Sequence, residues 1–124
     1  MMGHAYYANY LLWFEQARGA WCRDRGFTYR GLEESGYKLP VVEAHLRYRG
    51  EVLYDDLITV RCQLVEVRRA AMKFEYVVAN EHGQRVTEGY TWHVLVGEER
   101  KAVSAPTEVR QMLERDPDQY PTVA

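Results

Sequence analysis

Residues 6–25 read YYANYLLWFEQARGAWCRDR, and the reading of this stretch decides the fold. It contains no proline and one interior glycine, Gly19. Tyr10, Trp13, Phe14, Ala17 and Trp21 recur at spacings of three and four, which predicts a helix from Tyr6 to about Arg25. Leu11, Leu12 and Ala20 widen the apolar surface beyond one stripe, so the helix needs cover on several sides. Charge gathers at Arg23, Asp24 and Arg25, and Gly26 supplies the stop. A polar loop with Gly31, Ser35 and Gly36 then leads to Pro40.

Beyond Pro40 the apolar period becomes twofold, the mark of strands. Val41 to Arg49 reads as a first strand, broken by Gly50 and an acidic turn at Asp55-Asp56. From Leu57 to Val67, Ile58, Val60, Cys62 and Leu64 share one face. Met72, Phe74, Tyr76 and Val78 repeat the pattern, His82-Gly83 signals a hairpin, and Val86, Tyr90, Trp92, Val94 and Val96 line the returning strand. A short helix is expected over about 107–115, fading in the proline-flanked tail after Asp116. The sum is a single α+β domain over residues 1–124, an antiparallel sheet over about 41–96 curled around one long helix. Its open strand edges predict pairing with another copy of the chain.

The 124 residues are 47% hydrophobic and 27% charged, which supports a buried core and excludes a disordered tail. Sixteen basic against eighteen acidic residues give a net charge of −2, so a nucleic-acid-coating protein is not indicated. Cys22 and Cys62 stand far apart without paired spacing, which fits two reduced, buried thiols in a cytoplasmic protein. No apolar run approaches a membrane span, and Met1-Met2-Gly3-His4 opens without the features of a signal peptide. His45, His82 and His93 have no ligand spacing with each other or with cysteine, so neither a metal nor a cofactor is expected.

The run Gly3-His4-Ala5-Tyr6-Tyr7-Ala8-Asn9-Tyr10-Leu11-Leu12-Trp13-Phe14-Glu15 resembles the opening of the central helix in hotdog-fold acyl-CoA thioesterases of the 4-hydroxybenzoyl-CoA thioesterase type. The likeness continues through Tyr54-Asp55-Asp56-Leu57 and the basic turn Glu66-Val67-Arg68-Arg69. The resemblance implies a hotdog fold, a homodimer with a continuous sheet, often a homotetramer, and hydrolysis of an acyl-CoA thioester without metal. It also implies a catalytic Asp three residues before Gly3. That position falls immediately before Met1, together with the strand that would lead to it; the favoured expectation is that both lie just upstream, the alternatives being a member without that carboxylate or one in which another residue has taken over its role.

Thioester hydrolysis requires a stabiliser for the developing oxyanion and a group that attacks or activates water. Helix N-terminal amides meet the first need, and the matching donor is the backbone N–H of Tyr7. Gly3 reads either as a turn glycine or as a point where backbone approaches the thioester. His4 is polar lining or an acid–base group, and Asn9 caps the helix or binds substrate. Glu15 reads as a partner for Arg18 at i+3. Tyr6, Tyr7 and Tyr10 are placed to line a pocket across a dimer, while Trp13, Phe14 and Trp21 belong to the core. Arg68 and Arg69 match basic residues that the family uses for coenzyme A; Ala70 stands where a lysine can occur, leaving Lys73 to share the grip. Read without the resemblance, that turn is an ordinary solvated hairpin. Two other readings remain open: a hotdog protein that binds acyl-CoA without chemistry, and an enoyl-CoA hydratase or dehydratase built on His4 and Glu15.

Overall fold

The computed structural model describes residues 7–24, 26, 28–50, 57–104, 107, 111 and 122–123. Helix α1 spans Tyr7–Asp24, within a residue of expectation at each end. Its buried stripe is Tyr10, Phe14, Ala17, Arg18, Trp21 and Cys22, the face that three- and four-residue spacing brings into line. The opposite side holds Glu15, Gln16, Arg23 and Asp24, all exposed. Among the described residues the expected cover is incomplete, and Leu12 remains 50% exposed.

The polar loop expected after α1 instead contains a second helix, α2, at Tyr29–Glu34. Thr28 takes an extended conformation, and its hydroxyl accepts a hydrogen bond from the Gly31 amide at 2.9 Å, capping the first turn. Six residues containing Gly31 are too few to show a helical period, so this element is invisible to pattern reading.

Strands β1 (Val41–Tyr48), β2 (Ile58–Val67), β3 (Ala71–Asn80) and β4 (Arg85–Val94) form one antiparallel sheet with β5 (Thr122–Val123) in the order β1-β4-β3-β2-β5. The hairpin between β3 and β4 closes at His82-Gly83 as expected. Gly83 takes φ 78°, and the Asn80 side-chain oxygen accepts from the amides of His82 and Gln84. The tail does not simply fade: β5 pairs antiparallel with Val60 and Arg61 of β2. Thr107 and Gln111 of the predicted last helix are helical; its remainder, like the Asp55-Asp56 turn, lies outside the described residues.

β2 and β3 keep the predicted alternation. Ile58, Val60, Cys62, Met72, Phe74, Tyr76 and Val78 are all buried against α1 and its surroundings. β4 departs from it. Val78 pairs with Thr87 while Ala79 pairs with Arg85, so Val86 is an extra residue, a bulge that reverses the alternation. Val86 is buried, but beyond it Thr87, Thr91 and His93 take the inner face, and Tyr90, Trp92 and Val94 are only half-buried. The twofold rule was right within each segment and lost its phase at the bulge.

Phe14 lies flat on Tyr76, with ring centroids 4.1 Å apart and planes within 5°. The Phe14 ring fits because Gly89 faces it; a Cβ there would stand 2.9 Å from Phe14 and 2.3 Å from the His45 carbonyl oxygen. Trp21 meets Phe74 edge-on at 5.4 Å. The two thiols, Cys22 and Cys62, are buried.

Candidate functional site

The N-terminal half of α1 adjoins the inner side of β1. Leu11, Ala44, Leu46 and Tyr48 line a hollow of about 520 Å³ between them. Its lining is apolar apart from the Tyr48 hydroxyl, and Leu11 lies one turn from Tyr7, where α1 begins. The first amides of a helix have no acceptor within it, so donors point out of this end. No acidic residue occupies the first turn of α1. Tyr10 is 2% exposed and packs edge-on against Trp13 at 5.0 Å and Tyr48 at 5.3 Å. Tyr7 and Asn9 are in the helix; Gly3, His4 and Tyr6 lie outside the described residues.

Among the described residues, the hollow borders an unpaired edge of the sheet. β4 covers one side of β1, and β1 is last in the sheet. Val41, Val42 and Tyr48 are among the large apolar residues left exposed, as is Leu12 on the adjoining helix. A strand edge flanked by apolar side chains is a template for further pairing.

The basic turn ends elsewhere on the sheet. It closes by a hydrogen bond from the Arg68 amide to the Ala71 carbonyl. Arg68 pairs with Glu66 and stands over the Trp92 ring at 4.7 Å. Lys73 lies 4.4 Å from the Tyr90 ring centre and 5.9 Å from that of Trp92, so both cations flank the same indole. Arg69 turns the other way and donates to the Ser104 hydroxyl at 2.9 Å. Of the three cations expected together, two converge and one diverges.

Sequence reading missed a buried polar chain beneath α1. Arg18, 6% exposed, donates to the Tyr76 hydroxyl at 2.9 Å, although the sequence suggested Glu15 as its partner. The Tyr76 and Thr91 hydroxyls are 2.6 Å apart, Thr91 lies 2.8 Å from His93 Nε2, and His93 Nδ1 is 3.1 Å from the Leu39 carbonyl oxygen. Arginine only donates and a carbonyl only accepts, so the protons are ordered along the chain. His93 is neutral with its hydrogen on Nδ1, directed at Leu39, and Nε2 accepts from Thr91. Burial, reinforced by the charge of Arg18, pulls the His93 pKa down to about 4. Burial likewise raises the Tyr76 phenol above its ordinary range, against the opposing pull of Arg18. The available signal was Arg18 itself, four residues after Phe14 and three before Trp21, on the core stripe.

Among the described residues, no three His, Cys, Asp or Glu side chains gather into a metal-binding group, and no helix is long and apolar enough to cross a membrane.

Comparison with known proteins gives this arrangement its context. The model of the thioesterase-like superfamily matches residues 1–113. A Bacillus subtilis protein named "Putative acyl-CoA thioesterase YneP" is 30% identical over 98 residues, covering 79% of this chain and 71% of its own. The crystal structure of a hypothetical protein from Aquifex aeolicus superposes with a TM-score of 0.85 at 33% identity, over 90% of this chain and 87% of that one. A DHNA-CoA thioesterase from Staphylococcus aureus superposes with a TM-score of 0.78 at 28% identity, over 82% and 69%. The helix laid on an antiparallel sheet is therefore the hotdog fold, and the chain belongs to the thioesterase-like superfamily.

Proposed function

We propose that the chain hydrolyses acyl-CoA thioesters at the start of α1, with the acyl group in the hollow of Leu11, Ala44, Leu46 and Tyr48. The observation that carries this reading is an apolar hollow one helical turn from the N-terminus of α1, where a helix's first amides lack acceptors within it. A thioester carbonyl set there gains negative charge where donors and the helix dipole favour it. The Tyr7 amide is the proposed donor. Gly3, Tyr6, Asn9 and Tyr10 are proposed to shape the substrate's path, with His4 as an auxiliary acid–base group. The attacking or water-activating carboxylate is proposed to come from three residues before Gly3. Arg68, Arg69 and Lys73 are proposed to hold the phosphates of coenzyme A.

The working unit is proposed to be a homodimer formed by β1 edges, which would close the hollow from its open side; pairing of dimers into a homotetramer is a further step. Similarity to proteins named thioesterases supports the chemistry.

Tyr7→Pro tests the oxyanion donor. Proline has no N–H and is tolerated at the first helical position. The expected result is a fall in kcat of about a hundredfold or more with an unchanged melting temperature. Retained kcat would remove the amide from the mechanism. For the carboxylate, a form extended upstream with Asp in the proposed register is compared with the same form carrying Asn. Turnover should need the Asp while binding of coenzyme A survives in both.

A second reading, acyl-CoA binding without hydrolysis, draws on the lack of an acidic residue in the first turn of α1. Thiol release from an acyl-CoA panel separates the two.

A further inference from the structure

The outer face of the sheet, away from α1, carries a cluster that the thioester chemistry leaves unused. Arg49 Nη2 lies 2.9 Å from Glu88 Oε1, and Arg85 Nη1 lies 3.7 Å from Glu88 Oε2. Arg47 pairs directly across the strands with Glu88, and its charge also acts on that carboxylate. Three guanidinium groups thus gather around the Glu88 carboxylate, and Glu43, bonded to the Tyr90 hydroxyl, is a further carboxylate on this face that offsets part of their charge. Arg61 adds another guanidinium on the same row, opposite Val77, which itself stands opposite Glu88.

The cluster has a shape as well as a charge. Arg47, Arg85 and Glu88 line a hollow of about 420 Å³ together with His45, Tyr90 and Glu75. Glu75 does not cancel the excess, because Lys73 lies beside it at 3.9 Å. His45 is exposed and stacks on Tyr90 with ring centroids 5.1 Å apart, which leaves an imidazole face available to a flat ring. Glu88 holds the Arg49 and Arg85 guanidinium groups in place before any ligand arrives. Planar guanidinium groups fixed in this way match phosphate oxygens with paired hydrogen bonds.

We propose that this hollow is a phosphate-binding site that takes a nucleotide, its phosphates on Arg47 and Arg85, with Arg49 beside them on Glu88, and its base against His45. The nucleotide has two possible sources, the adenosine end of a coenzyme A substrate or a free nucleotide. Lys73 borders the hollow through Glu75 and Tyr90, so assignment to coenzyme A would place its phosphates here in place of the Arg68 turn; binding itself does not depend on the hydrolytic reading.

Calorimetric titration of the full chain with ADP and with inorganic pyrophosphate tests the proposal. Both should bind, and Arg47→Gln combined with Arg85→Gln should weaken both by about tenfold or more. Arg30→Gln, an exposed change on α2, serves as the control and should leave the titrations unaltered. His45→Ala should weaken ADP and leave pyrophosphate unchanged. Kinetics then identify the source. A KM raised in the double variant for an acyl-CoA, but not for the same acyl group on pantetheine, assigns the site to the substrate's own nucleotide. Unchanged KM values alongside lost ADP binding assign it to a free nucleotide. Absence of ADP and pyrophosphate binding to the unaltered protein overturns the proposal. So does a lower oligomer mass of the double variant in sedimentation without any change in the titrations, which would make the cluster a contact between copies. Loss of all thioesterase activity in the unaltered protein would refute the hydrolytic reading and leave the titration result standing.

Discussion

Gly89 shows how one missing side chain fixes the packing of the core. A methyl group there would meet the His45 carbonyl oxygen at 2.3 Å and the Phe14 ring at 2.9 Å, and backbone cannot yield cheaply. Gly89→Ala should therefore cost about 2 kcal/mol or more in urea unfolding, the scale of an overpacked core. Tyr76→Phe keeps the ring on Phe14 but removes the hydroxyl between Arg18 and Thr91. Its expected cost is about 1–3 kcal/mol, since buried groups lose a partner and no volume changes.

His93 makes stability depend on pH with a definite sign. Its pKa is about 4 in the folded chain against 6.5 when unfolded, so between those values the unfolded state binds more protons. Stability should then be complete above about pH 6.5 and decline toward pH 4, by at most about 3 kcal/mol. Unfolding free energies measured across that range check the slope, which should flatten in His93→Gln.

At the scale of elements, α1 was legible because eighteen residues hold several helical periods, and its buried stripe follows from spacing alone. The six residues of α2 were not, and only the Thr28 cap betrays them. Thr28→Ala should destabilise the chain by about 1 kcal/mol, read as a lower melting temperature. The inner face of β4 was misassigned beyond Val86 because a bulge arises from how two strands meet, and a single strand's sequence does not record its partner's register. Phe14 and Trp21 were legible as core residues. The contact of Arg18 with Tyr76 was not, because the two lie 58 residues apart in sequence.

At the scale of the molecule, one chain leaves apolar surface where β1 and α1 meet. Val42 in β1 is 60% exposed and Leu12 on α1 50%, and among the described residues β1 pairs on one side only. If that edge joins two copies, Val42→Lys combined with Leu12→Glu should raise the dimer dissociation constant by about tenfold or more, because buried charges without partners are costly. Analytical ultracentrifugation reads this directly, and an unchanged mass distribution would move the interface elsewhere. The candidate site was only partly legible for the same reason. The run from Gly3 to Glu15 marked the start of α1, but the hollow beside it is made by Ala44, Leu46 and Tyr48, which only the folded sheet brings to Leu11.

Local periodicity determined the long helix, the strand alternation and the hairpin at His82-Gly83, since each is written in residues a few places apart. Tertiary structure alone decided the strand order, the phase of β4, the polar chain from Arg18 to His93 and the arginine cluster around Glu88. Those features depend on which distant segments become neighbours, and that is settled by burial and register across the whole sheet.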